Sequence, residues 1–133
     1  MNIKQKVITL CLFAGLTTGL RAQEFVTPAD VRQWVEQRFA KGQTPPFSFI
    51  YGGKKSDSFI RNWQYKAEKL PADEPDAEKF LYTYTDRSSG LEVRCTVTCF
   101  TDFPAVDWVL NFTNTSRRNT PLIEQAEVIN HTF

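Results

Sequence analysis

Residues 84–114 read YTDRSSGLEVRCTVTCFTDFPAVDWVLNFTN, and this stretch decides the fold. Leu91, Val93, Cys95, Val97 and Cys99 alternate with Glu92, Arg94, Thr96 and Thr98. Beyond a turn through Asp102, Phe103 and Pro104, Val106, Trp108, Leu110 and Phe112 alternate with Asp107 and Asn111. Successive strand residues point to opposite faces, so each segment presents one dry face and one wet face. Two such strands joined by a short Pro-containing turn predict an antiparallel sandwich.

Upstream, the pattern continues in pieces. Residues 79–85 alternate Phe80, Tyr82 and Tyr84 against Lys79, Leu81 and Thr83. Residues 63–69 and 47–51 read as further strands, with a turn at Gly52-Gly53 and a helical turn expected at Ser56-Asp57-Ser58. A polar, acidic linker spans 70–78, and a last strand is expected over 121–133. About six strands at this spacing predict an all-β antiparallel sandwich. One helix precedes them. Thr27 is placed to cap it, Pro28 suits its first position, and Asp30 complements its N-terminal dipole. Val31, Trp34, Val35 and Phe39 follow at helical spacing and Gly42 ends the run, so this short helix is amphipathic.

Residues 1–22 read as a secretory signal peptide. Lys4 and Lys6 precede an apolar run over 7–16, and Leu20-Arg21-Ala22 offers a small residue at a cleavage site. The run is too short for a membrane span, and Cys11 within it lacks a lipobox. The expected organisation is therefore a leader at 1–22, a helix and linker at 23–43, and a partial sandwich at 44–133, exported to the periplasm or beyond. Loss of Lys4, Lys6 and Arg21 from 16 basic residues leaves 13 against 15 acidic, a mature net charge of −2. That balance argues against nucleic acid, whose binders carry a basic surface. The strand pattern stops at His131-Thr132-Phe133 without a closing turn. An open sheet edge invites association, either with more of a larger protein or with another copy.

Catalytic chemistry is hard to assemble from these residues. His131 is the only histidine, so a Ser-His-Asp arrangement has little support. Asp73, Glu74, Asp76 and Glu78 crowd the linker but lack the alternating oxygen ligands and central Gly of a calcium loop. No metal or cofactor is expected. Cys95 and Cys99 lie about 13 Å apart along one strand, whereas a disulfide needs Cα atoms within about 7 Å. They read as small core hydrophobes. Asp102 and Asp107 flank the Phe103-Pro104 turn and are the sharpest candidates for a glycosidase carboxylate pair, with turn capping and surface solvation as the alternative. Trp108 belongs to the core face and Trp34 to the helix stripe. Trp63 and Tyr51 lie beside turns, where an aromatic side chain can reach a sugar; packing is the alternative for both.

The string Pro46-Phe-Ser-Phe-Ile-Tyr-Gly-Gly53, with Ser56 and Trp63 after it, resembles the N-terminal region of bacterial secreted α-galactosidases of glycoside hydrolase family thirty-six and its relatives. The resemblance runs on through Tyr84-Thr-Asp86, Gly90-Leu-Glu-Val-Arg-Cys95, Asp102-Phe-Pro-Ala-Val-Asp-Trp108, Asn114 and Thr120-Pro-Leu-Ile-Glu124. In such enzymes this region begins a β-supersandwich that packs on a (β/α)₈ barrel. The barrel supplies both catalytic aspartates for retaining hydrolysis of terminal α-galactosides. No residue of this sequence matches those catalytic motifs, so the resemblance implies a non-catalytic part. Some relatives extend a tryptophan of this region toward the galactose site, the role it would give Trp63. Three glycosylation sequons, at Asn111, Asn114 and Asn130, read as incidental in a bacterial setting.

Overall fold

The alternation in residues 84–114 becomes the centre of the larger of two sheets. The computed structural model describes residues 2–6, 10–11 and 25–130. In chain order the elements are β1 (Asn2–Lys6), β2 (Leu10–Cys11), α1 (Pro28–Arg38), β3 (Ser48–Tyr51), β4 (Lys54–Lys55), β5 (Gln64–Leu70), β6 (Ala77–Thr85), β7 (Leu91–Phe100), β8 (Ala105–Asn114) and β9 (Ile123–Glu127). Single 3₁₀ turns occupy Ser56–Ser58 and Ile60–Asn62. The large sheet runs β1-β8-β7-β6-β5 with β2 also on β8, and the small one runs β4-β3-β9. The β5–β6–β7–β8 meander pairs antiparallel without a slip, from Gln64↔Thr85 to Cys99↔Val106.

The chain is mostly β, as the alternation predicts, but the layer facing the large sheet is composite. Helix α1 covers part of that sheet and the small sheet covers another part. Val31, Val35 and Phe39 from the helix join Phe47, Phe49 and Tyr51 from β3 and its approach in one core. They meet Val93, Cys95, Val97, Trp108, Leu110 and Phe112 from the inner face of the large sheet. The helix begins where the sequence places it. Thr27 Oγ1 accepts from Asp30 N at 3.2 Å, and Asp30 Oδ2 accepts from Thr27 N at 2.8 Å, satisfying two otherwise orphaned donors. Trp34 stacks on Trp108 with ring centroids 6.3 Å apart, and Phe39 stacks on Tyr82 at 4.7 Å. Arg32 lies 4.4 Å over the Phe80 ring and pairs with Glu78, fastening the helix to β6.

Two features depart from the sequence reading. The last strand is shorter than 121–133 and pairs with β3, with a register shift between Ser48↔Glu127 and Ile50↔Glu124. Gln125 takes φ 45° within that strand, where the extra residue of a bulge is accommodated. Residues 131–133 lie outside the described residues. Leu81, expected on the wet face, is only 3% exposed. It sits mid-sheet, flanked by Glu68 on one side and Thr96 on the other, so neighbours on both strands shield it. The segment read as a leader contributes β1 and β2; the rest of its apolar run and the 20–22 cleavage site lie outside the described residues. No helix among the described residues is long and apolar enough to cross a membrane.

Two outcomes follow from the core and the β6–β7 turn. Gly90 takes φ +79°, and a Cβ there would stand 2.8 Å from Ser116 Cβ. Gly90→Ala meets both a left-handed backbone and a clash, and should lower unfolding free energy by about 1–3 kcal/mol in denaturant titration. Cys95 and Cys99 are buried and unpaired, and burial pushes the Cys99 thiol up to about 11 and raises the Cys95 thiol well above its ordinary value. Neither should be alkylated by iodoacetamide in the native protein at pH 8, and both should be labelled in denaturant, as read by mass spectrometry.

Candidate functional site

The hairpin turn between β6 and β7 shapes one wall of an open groove. Asp86 organises it in the manner of an Asx turn, in which a carboxylate takes the place of a backbone acceptor. Its carboxylate accepts from Ser88 N at 3.0 Å, Ser88 Oγ at 2.7 Å and Ser89 Oγ at 2.7 Å. Its backbone closes the turn through Gly90 N→Asp86 O at 2.8 Å and Asp86 N→Leu91 O at 2.9 Å. Partial burial pushes the Asp86 carboxyl upward, but the hydrogen bonds from Ser88 and Ser89 outweigh it and hold the group below its ordinary value. A carboxylate held ionised in this way is a poor general acid.

Tyr51 meets this turn from the opposite layer. Its hydroxyl donates to Ser89 Oγ, which in turn donates to Asp86, so a relay links the small sheet to the large one. The ring is 8% exposed and lies among Phe49, Phe59 and Trp63. Burial raises the Tyr51 hydroxyl pKa, with the nearby Asp86 charge adding to the shift and the Ser89 hydrogen bond opposing it. Tyr51 therefore serves as a strut, and it is not among the residues that line the groove.

Trp63 does line it. Two successive 3₁₀ turns deliver it, with Trp63 N donating to Ile60 O at 3.2 Å before the chain enters β5. One face of the indole stacks on Phe59 at 5.1 Å and 25°. The half-buried ring borders a groove of about 510 Å³ with Lys41, Asn62, Gln64, Asp86 and Arg87 around it. Arg87 Nε donates to Gln64 Oε1 at 3.1 Å across the β5–β6 pair, so two of these groups hold one another in place. Tyr65, on the same rim, donates its hydroxyl to Phe39 O at 2.6 Å and ties the edge strand to the end of the helix. An aromatic border with amides, a carboxylate and two cations suits a polyhydroxylated ligand, which offers C–H faces to the ring and hydroxyls to the polar groups.

The other candidates fall elsewhere. Asp102 is exposed in the β7–β8 turn. Asp107 lies on the outer face opposite Thr98, beside a smaller cavity of about 170 Å³ that Asp73, Glu74 and Lys79 also line. Asp73 pairs with Lys79 at 2.5 Å. Trp108 is fully buried and donates Nε1–H to Val128 O at 2.8 Å, while Trp34 is used against Trp108. His131 lies outside the described residues. Among the described residues no group of three or more His, Cys, Asp or Glu is placed to hold a metal. The Asp86-Arg-Ser-Ser-Gly90 string is a turn signature that could have pointed to this groove. Nothing local marks Lys41, which the fold brings in from the end of the helix.

Comparison with family models, with curated proteins and with solved structures found no match in any of the three.

Asp86→Asn keeps an oxygen for the turn and removes the charge. Because the folded carboxyl titrates below 3.8, its contribution is fully present above that pH and fades as pH falls through the folded value. Thermal unfolding should show the variant less stable than wild type at pH 7, with the gap closing below about pH 4.

Proposed function

We propose that this chain is the non-catalytic β-sandwich part of an exported α-galactosidase-like glycoside hydrolase, buttressing a (β/α)₈ barrel and bordering its sugar path with the Trp63 groove. The placement of the residues that carry the resemblance supports this reading. Phe47, Phe49, Cys95 and Trp108 are all core members. Gly52 and Gly90 occupy turns at positive φ, and Asp86 anchors the β6–β7 turn that contains Gly90. These are scaffold duties, the kind a supporting layer retains when chemistry is performed by a neighbouring domain. The parent activity under this reading is hydrolysis of terminal α-galactosides.

The groove supports a second reading, a carbohydrate-binding module that acts by itself. It joins an aromatic face to convergent polar groups from three parts of the chain, around 41, 62–65 and 85–88. One set of measurements separates the readings. The purified chain should release no nitrophenol from a nitrophenyl α-galactoside, and turnover lost on mutating Asp102 or Asp107 would overturn the non-catalytic assignment. Titration with melibiose, followed by the Trp63 indole N–H resonance, should show only weak binding if the groove needs a barrel to complete it. Saturable binding that Trp63→Ala abolishes without loss of fold would establish the independent module instead.

A further inference from the structure

We propose that the outer edge of β8 is a strand-acceptor site, filled in the unprocessed chain by residues 2–6 and 10–11 and, once these are removed, by β8 of a second copy of this chain. The proposal rests on the reading of residues 1–22 as a removable leader. It does not depend on the sugar assignment.

The edges of the two sheets are not alike. Native proteins blunt exposed edges with charged side chains, lysine above all, because an unpaired row of N–H and C=O groups recruits strands. At the far side of the large sheet, β5 carries Lys66, Glu68 and Lys69. The small sheet ends on Lys54 and Lys55 at one side and on Glu124 and Glu127 at the other. Strand β8 is ten residues long and carries one charge, Asp107. Left bare, it would be a long edge with a single charge, of the kind folded chains avoid.

In the structure it is not bare. Strand β1 pairs antiparallel with it from Asn2↔Thr113 to Lys6↔Val109, and β2 continues with Leu10↔Val106 and Cys11↔Ala105. Seven of its ten positions are thereby matched to a strand drawn from the leader segment. The edge is thus competent for antiparallel addition along nearly its whole length. The residues named in the core cluster run from Val26 to Val128, so removing the leader withdraws the edge cover and leaves all of these in place.

A second copy fits the vacated edge by symmetry. Antiparallel pairing of β8 with itself about Val109 sets Asp107 opposite Asn111, Ala105 opposite Thr113 and Trp108 opposite Leu110. No like charges meet, because each copy brings a single carboxylate and places it away from the two-fold axis. Directly opposed residues share a face, so the inner faces of both copies stay on one side and form a continuous sheet of the isologous kind.

The test compares the chain before and after processing. The exported, processed chain should sediment at double the monomer mass and show concentration-dependent protection of β8 amides from hydrogen exchange. The unprocessed 133-residue chain should sediment as a monomer. Val109→Glu puts two carboxylates on the two-fold axis of the processed dimer but sets one opposite Lys6 in the unprocessed chain. It should make the first monomeric and leave the second unchanged, with circular dichroism confirming fold in both. A double variant, Ile3→Pro with Gln5→Pro, prevents β1 from pairing in the full chain and should convert it to a dimer without any processing. An exported product that keeps Met1 overturns the processing step. A proline variant that stays monomeric, or a processed dimer indifferent to Val109→Glu, overturns the acceptor edge.

Discussion

The burial of one indole holds the two layers together. Trp108 is inaccessible to solvent, and the helix, strand β7 and the segment beyond β9 all meet it. Trp34 stacks on it from the helix and Phe39 meets it edge-on at 6.1 Å, so the helix docks on this ring. Its N–H would be stranded in a dry interior without a partner, and burying such a donor unpaired costs about 1–3 kcal/mol. Val128 supplies the acceptor, which brings the chain beyond β9 back over the large sheet. Truncating a buried aromatic of this size to alanine costs about 3–5 kcal/mol. That is a large share of the roughly 5–15 kcal/mol on which a small domain rests.

Much of this was legible in the residues themselves. The two-residue alternation from Leu91 to Phe112 is a local signal, and β7 and β8 follow it closely. The helix start at Thr27-Pro28-Ala29-Asp30 is likewise written in four consecutive residues, and its capping box forms. The cysteines and Trp108 went to the core because their face of the strand is dry. What escaped was whatever depends on distant segments meeting. No local pattern says that β9 pairs with β3, about 75 residues earlier, or that the helix and a small sheet share one layer. Leu81 misled because alternation assigns a face without counting the neighbours that shield it.

The groove was half legible for the same reason. Trp63 stood out as an aromatic beside a turn, and it does reach the groove. Tyr51 looked equivalent in sequence, yet its strand carries the ring inward and leaves only the hydroxyl for polar contact. The difference is one of position within an element: Trp63 follows a 3₁₀ turn at the mouth of β5, whereas Tyr51 belongs to a strand at the sheet–sheet interface. Asp86, an unpromising residue at a strand end, turns out to connect them, since it braces the turn that receives Tyr51 and lines the groove that Trp63 borders.

The kink at Gln125 has a bearing on how the small sheet stays true. A regular strand can slide by two residues along its neighbour and still present the same face inward, so face pattern alone does not index it. Strand β9 cannot slide in this way, because its register against β3 changes between Ser48 and Ile50 and Gln125 alone adopts the left-handed backbone that absorbs the change. Any shift would move that kink away from the point where the partner accommodates it. The irregularity thus works like the tooth of a ratchet: it fixes where the segment stops, and with it the reach of the Val128 carbonyl.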